Sequence, residues 1–245
     1  MAEENPGNLL RASDTNTISL DGRRLTNADL YAVAARPDVT RVKIFGLKQS
    51  IAPLTMLASL RDLDLTDPAT LDGLDELQQL EGLTLYAFPR ITTLEAIGAL
   101  TNLKKLLLST PPGYDASRKC YEVDSLEPLS RLSRLESLTM RGIAPKSGRL
   151  DPIRQLTNLR RVDISHVYMF GLADYAQLAA ALPAAEGHCL QPVFEATWAG
   201  ACPQCGRPRV VLTAPPPRTP RMACPVDDQA RLERHVAAWN AAKKL

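Results

Sequence analysis

The feature that most constrains the fold is an apolar residue at every third position, as in LTNLKKLLL, residues 100–108. The first three leucines of this run are three residues apart, and Leu108 then follows after two. An α-helix would alternate spacings of three and four, and a strand would repeat every second residue. The spacing instead predicts a tight 3₁₀-like return followed by a short strand whose two apolar side chains point inward.

The pattern returns along the chain, almost verbatim as LTNLRRVDI at residues 156–164. Successive copies close on the apolar residues Leu20, Ile44, Leu65, Leu85, Leu108, Met140 and Ile164. One copy cannot bury its own leucines, whereas stacked copies bury a continuous core, so the repeat predicts a solenoid. A bundle of short amphipathic helices is the alternative, and it does not explain so many copies of one spacing.

This repeat resembles the short-repeat subfamily of leucine-rich-repeat proteins, the bacterial internalin-like and phosphatase-regulator-like kind, over about residues 14–170. The resemblance implies an α/β solenoid with a parallel sheet on its concave face. The family usually carries Asn two residues after the last leucine, where its amide bonds the neighbouring coil. Here those positions hold Asp67, Ala87, Thr110, Gly142 and His166. The missing asparagines predict turns that are less regular than the family norm.

Three parts are expected: a loosely ordered or disordered N-terminus at 1–13, the solenoid at 14–187 and a cysteine-containing module at 188–245. The longest interval between copies contains TPPGYDASRKCYEVD, residues 110–124, which we interpret as an inserted loop. The Ala/Leu-rich stretch at 171–187 predicts the last return helix. The stretch HCLQPVF, residues 188–194, is then predicted to form one more strand against the open end of the array.

The strand positions that flank the two buried ones are expected to face the concave surface. Their mixed charges, with apolar side chains among them, favour a protein partner over a phosphate backbone. The predicted partner-binding residues are Arg41, Lys43, Phe45, Asp62, Asp64, Thr84, Tyr86, Lys105, Leu107, Thr139, Arg141, Arg161 and Asp163. The alternative is that these residues merely pair with one another along the sheet.

The C-terminal region contains a C-x-x-C knuckle, Cys202 and Cys205, with Cys224 about twenty residues later. The residues between them read as a hairpin that includes a strand at 210–213, and a terminal helix with Leu232, Val236 and Trp239 on one face should follow. The region resembles a zinc ribbon with one thiolate replaced, which implies a structural Zn²⁺. The predicted ligands are Cys202, Cys205, Cys224 and Cys189, and Asp227, His188 and His235 stay open as alternatives for the fourth position. Free thiols or a redox pair are the competing interpretations.

Composition and missing motifs narrow the function. The 245 residues are 45% hydrophobic with a net charge of +2, and they contain neither a Gly-rich phosphate loop nor G-x-S-x-G. We therefore expect no enzyme.

The polar N-terminus and the lack of a long apolar run predict a cytoplasmic protein without a membrane segment. The interpretation is a scaffold or regulatory subunit for a protein partner. Nucleic-acid binding by the basic tail, with eight basic against three acidic residues at 200–245, is the alternative.

Overall fold

Each copy of the repeat that is described ends in a strand, and seven of these strands form one parallel sheet. The computed structural model describes residues 16–111, 120–165 and 170–245. In chain order its strands are β1 (Thr17–Asp21), β2 (Arg41–Phe45), β3 (Asp62–Thr66), β4 (Gly82–Tyr86), β5 (Lys105–Ser109), β6 (Tyr121–Val123), β7 (Ser137–Arg141), β8 (Ile143–Pro145), β9 (Arg161–Ile164), β10 (Val193–Glu195), β11 (Val210–Leu212) and β12 (Met222–Ala223). The order in the large sheet is β1-β2-β3-β4-β5-β7-β9, so neighbours in space follow one another along the chain.

The return segments are built from 3₁₀-type turns, as the spacing of three predicts. In the third coil the N–H groups of Leu54, Leu57 and Leu60 donate to the carbonyl three residues earlier, at 2.9, 3.0 and 3.0 Å. The same i to i−3 bonds join Leu74, Leu77 and Leu80 in the next coil, at 3.0–3.1 Å. Because a 3₁₀ turn brings every third side chain to the same side, these leucines all point into the core.

The buried residues of strands and returns form one continuous core. The sheet registers place Val42 beside Leu63 and Leu63 beside Leu83, so each apolar position forms a column across the strands. The core cluster runs from Ile18 through every described coil. The chain is therefore an α/β leucine-rich-repeat solenoid with a parallel sheet, and this part of the prediction is confirmed.

Short helices occupy only part of the returns, and one longer helix closes the chain. The α-helices are α1 (Asn27–Ala34), α2 (Glu95–Gly98), α3 (Asp151–Arg154), α4 (Leu172–Ala181) and α5 (Gln229–Ala242). The 3₁₀ helices are Ala52–Met56, Glu127–Arg131, His188–Leu190 and Thr197–Ala199. Within the described part of the chain, every helix is too short or too polar to span a lipid bilayer.

The turns that lack the family's asparagine are held by backbone hydrogen bonds instead. The N–H groups of Gly46, Asp67, Ala87 and Thr110 each donate to the last strand carbonyl of the next coil, at 2.7, 2.9, 2.8 and 2.9 Å. Gly46, Asp67, Ala87 and Gly142 share a left-handed backbone, with φ between 51° and 70°. Three of the turns without asparagine, at Asp67, Ala87 and Gly142, therefore share one conformation, whereas Thr110 lacks a positive φ. His166 and residues 1–13 lie outside the described residues.

The insertion after β5 contains structure that the sequence interpretation missed. Residues 112–119 lie outside the described part, but β6 follows at once and pairs in parallel with β8 in a second, small sheet. Tyr121 and Val123 are buried on either side of exposed Glu122, and the Tyr121 ring meets Phe88 edge-on at 5.5 Å. The prediction of an inserted loop through Asp124 is thus corrected at its C-terminal end, where residues 121–123 form a strand.

The array ends differently from the prediction. Glu186 forms a single parallel bridge to Arg161 at the edge of the large sheet. Gly187 follows where any Cβ would come within 1.9 Å of the Val162 carbonyl oxygen, so only glycine fits. The stretch HCLQPVF does not add a strand to the solenoid: it forms the 3₁₀ helix His188–Leu190 and then β10, which pairs with β11 in an antiparallel sheet with β12.

The terminal helix packs on the solenoid rather than standing alone. Helix α5 contacts α4, and Trp239 and Ala242 belong to the solenoid core cluster. The buried face is made by His235, Trp239 and Ala242, whereas Leu232 and Val236 are only half-buried. The predicted face is therefore rotated, because the helix must also meet the segment that leaves the solenoid.

Candidate functional site

The sheet register brings the thirteen predicted partner-binding residues to one surface. The side chains between the buried ones form three columns across the strands. The first column is Thr17, Arg41, Asp62, Gly82, Lys105, Ser137 and Arg161; the middle one is Ser19, Lys43, Asp64, Thr84, Leu107, Thr139 and Asp163; the last is Asp21, Phe45, Thr66, Tyr86, Ser109 and Arg141. Their part in binding a partner stays a prediction.

A groove of about 580 Å³ lies over the middle and last columns. We call it the concave groove; its walls include Lys43, Phe45, Tyr86, Leu107 and Arg141. Phe45 is 43% exposed. Arg23 covers one face of the Phe45 ring, with its guanidinium carbon 4.8 Å from the ring centre. The ring is therefore held in place with its other surface open to the groove.

Ion pairs use the carboxylates of this surface and leave several cations free. Arg41 lies 3.5 Å from Asp62 and 3.9 Å from Asp64, and Arg141 lies 3.1 Å from Asp163. Pairing along the sheet, the alternative to a binding surface, thus accounts for these five residues. Among the described residues, no carboxylate lies within 4 Å of the charged groups of the three cations Lys43, Lys105 and Arg161. The surface therefore carries an uncompensated positive charge.

A second candidate site lies in the C-terminal module, where three thiols and a carboxylate converge. One ligand atom from each of Cys202, Cys205, Cys224 and Asp227 lies within 4.8 Å of all the others. The Sγ atoms of Cys205 and Cys224 are 3.4 Å apart, and Cys202 Sγ is 3.7 Å from an Asp227 carboxylate oxygen. Tetrahedral thiolates about 2.3 Å from a metal would be about 3.8 Å apart. These four residues, which we call the cysteine cluster, could therefore hold a metal ion.

Two backbone turns present the ligands of the cysteine cluster. In the first turn Gly206 N–H donates to Cys202 O at 2.8 Å, and Gly206 adopts φ 71°. In the second, the N–H groups of Val226 and Asp227 both donate to Cys224 Sγ at 3.4 Å. Such N–H to sulfur bonds favour the thiolate form, which is the form that binds metals.

The thiol pKa values of the cluster differ. Backbone N–H bonds from Cys205 and Gln204 lower the pKa of Cys202 below its usual value. At Cys224 the Asp227 N–H bond acts in the same direction, but burial and hydrogen bonds with the Asp227 carboxyl and Cys205 prevail and raise its pKa to about 11.

The structure does not bring Cys189, the predicted fourth metal ligand, to the cysteine cluster. Cys189 is 1% exposed in the solenoid core, and its thiol donates to the Val162 carbonyl oxygen at 3.4 Å. Burial raises the pKa of this thiol to about 12, which keeps it protonated. His188 stacks on Phe194 and His235 bonds to Pro192 O, so among the alternatives the structure brings Asp227 to the cluster.

Comparisons with known proteins give only distant similarities. No protein-family model and no curated protein matches this chain. It is similar to an internalin from Listeria monocytogenes, at 16% identity and a TM-score of 0.30, covering 65% of this chain and 56% of that one. It is also similar to a leucine-rich-repeat protein from Leptospira interrogans, at 16% identity and a TM-score of 0.31, covering 71% of this chain and 54% of that one. The chain thus spans little more than half the length of either protein.

Proposed function

We propose that the protein is a non-enzymatic scaffold or regulatory subunit that binds another protein in the concave groove. The observation that carries this proposal is the row of accessible apolar side chains Phe45, Tyr86 and Leu107 in that groove. Aromatic and aliphatic side chains in a concave, partly desolvated surface are the usual centre of a protein interface. No chemistry needs to be assigned to the groove for this role.

The charges around this apolar row indicate the kind of partner. Lys43 lies two residues before Phe45 on β2, and Lys105 lies two residues before Leu107 on β5. Among the described residues, no carboxylate lies within 4 Å of either lysine amine, so a carboxylate of the partner could pair with each of them. We therefore infer a partner segment that carries an apolar anchor flanked by Asp or Glu.

The basic tail supports the nucleic-acid alternative less well. Arg231 donates to the Met222 carbonyl oxygen at 2.8 Å and lies 3.3 Å from Asp228. Part of the positive charge of the tail is thus used inside the module, where it cannot contact phosphates. We therefore favour the protein partner.

The partner surface is tested by two variants with a matched control. A partner is first identified by affinity capture and mass spectrometry, and its affinity is then measured with purified proteins. The triple change Phe45→Ala, Tyr86→Ala and Leu107→Ala should weaken binding by about 100-fold or more, because it removes the apolar centre of the interface. The double change Lys43→Glu and Lys105→Glu should slow association and reverse its salt dependence.

The control changes Met56, 68% exposed outside the groove, to Ala together with exposed Lys48 to Glu, and it should bind normally. Circular dichroism checks that every variant is folded. Unchanged affinity in both groove variants would show that the partner binds elsewhere.

We also propose that the cysteine cluster holds a structural Zn²⁺. Three thiolates and one carboxylate make a donor set that suits zinc, and with four protein ligands no position is left for substrate. Elemental analysis after passage over a chelating resin should find about one zinc per chain. Cys202→Ser should lose it, whereas Cys120→Ser, which changes an exposed thiol outside the cluster, should keep it. Less than half an equivalent in the unmodified protein would contradict zinc binding.

A further inference from the structure

The cysteine module has very little apolar core of its own. Its buried hydrophobic residues outside the solenoid core cluster are Ala199, Cys202, Val211, Leu212, Ala223 and Cys224. This set, drawn from the described residues, is small and has no aromatic side chain. Units with so little buried apolar surface usually need a metal or disulfides to stay folded. The module therefore depends on whatever links its two cysteine turns.

Helix α5 connects the cysteine cluster directly to the solenoid. Its first residue, Gln229, comes two residues after Asp227. The turn and the helix start are locked together, because Cys224 N–H donates to an Asp228 carboxylate oxygen at 2.8 Å and Asp228 N–H donates to Cys224 O at 3.1 Å. Three turns later Trp239, only 2% exposed, lies in the solenoid core. The position of the cluster thus sets where the helix begins.

Two side chains of α5 also bind the small antiparallel sheet or the segment leading into it. Arg231 donates to Met222 O, and the His235 ring contacts Pro192 O at 3.1 Å. Both partners belong to the small antiparallel sheet or to the segment leading into it, so these bonds hold the helix only while that sheet is ordered. Packing of α5 on α4 also holds the helix in place.

We propose that the metal in the cysteine cluster holds α5 against the end of the solenoid. We call this role the latch. This inference rests on the proposed zinc site. It adds a role for the metal and names the ligand that exchanges first. Coordination joins the Cys202–Cys205 turn to the Cys224–Asp227 turn and so fixes the helix start. Asp227 is the exposed member of the set and the only oxygen ligand in it, so it is the ligand that exchanges first. Loss of the metal frees the helix while the solenoid itself stays folded.

The two tryptophans of the chain make the latch measurable. Trp198 is 65% exposed and Trp239 is buried, so Trp198→Phe leaves one reporter in the helix–solenoid contact. In this full-length variant, zinc removal with a chelator should shift Trp239 emission to longer wavelength and increase its quenching by acrylamide. Adding zinc chloride should reverse both changes. Hydrogen exchange should show lost protection in α5 and unchanged protection in β2–β5.

A charge-matched pair of variants tests the role of Asp227. In the Trp198→Phe background, Asp227→Asn should need at least about tenfold more free zinc for the same Trp239 signal. Glu233→Gln removes one negative charge from an exposed position of the same helix and should behave like the parent.

The results separate the zinc site itself from the role of the metal in holding α5. Zinc that binds and leaves Trp239 unaffected on removal would overturn the latch while the zinc site stands. A protein that binds no zinc would overturn both. Equal zinc affinity in Asp227→Asn and Glu233→Gln would overturn the assignment of Asp227 alone.

Discussion

At the scale of single residues, the turns after the strands show how a backbone requirement can be met without the expected side chain. Asp67 and Ala87 adopt φ values of 51° and 54°, a region that non-glycine residues rarely enter. Their N–H groups continue the backbone bonds from coil to coil. The stacking of the coils thus imposes a conformation that Ala87 does not prefer by itself.

Replacing Ala87 with glycine should therefore stabilise the protein. Glycine removes the Cβ strain of the left-handed region but loses more entropy on folding, so the free energy of unfolding should rise by about 0.5–1 kcal/mol. Urea denaturation measures this change. Ala58→Gly, at an exposed turn position without positive φ, should instead lower the free energy by about 0.5 kcal/mol. A loss of stability in Ala87→Gly would mean that the turn carries no strain.

The fourth ligand of the cysteine cluster illustrates what sequence spacing can and cannot decide. Cys224 and Asp227 have the same spacing as Cys202 and Cys205, so a second knuckle could be read from the sequence. Cys189 has the chemically better side chain, and nothing in the sequence shows that it is buried in the solenoid core. The sequence therefore favoured Cys189, because a thiolate is the better zinc ligand, whereas the structure places Asp227 beside the three thiols.

At the scale of elements, the returns and strands of the solenoid were predictable because their spacing has one physical cause. A side chain repeats on the same side every third residue in a 3₁₀ turn and every second residue in a strand. The closing residues from Leu20 to Ile164 therefore located all seven strands of the parallel sheet.

The pairing of strands β6 and β10 was not predictable in the same way. Both are three residues long, too short for an alternating pattern to stand out from the surrounding sequence. Strand β6 is defined by its pairing with β8, and β10 is defined by its pairing with β11. Long-range pairing of this kind leaves almost no local signal.

At the scale of the whole molecule, burial of His235 couples the terminal module to pH. Burial lowers the pKa of His235, and Arg231 adds to the effect, while bonds to the Pro192 and Thr213 backbones oppose it. In the unfolded chain His titrates near pH 6.5. As the pH falls below this value the unfolded chain takes up the proton first, so the folded state loses stability down to the folded pKa.

The expected result is a urea midpoint that decreases between pH 7 and pH 5 more steeply in the parent than in His235→Gln. The glutamine variant keeps a polar group beside Pro192 O but cannot titrate. Comparing the two slopes cancels the protonation of other groups, including the thiols of the cysteine cluster. Equal slopes would show that His235 titrates alike in both states.

The small sheet of β6 and β8 has a mechanical consequence for the array. It ties neighbouring windings together outside the main sheet: Asp124 N–H donates to Thr92 O at 2.8 Å, and the Lys146 amine lies 2.6 Å from the Asp124 carboxylate. A stack of coils bends through small rotations between neighbours, which add up along the array. Because the small sheet adds bonds between neighbouring coils beside β5 and β7, we expect that part of the array to bend less than the coils of β1 to β4.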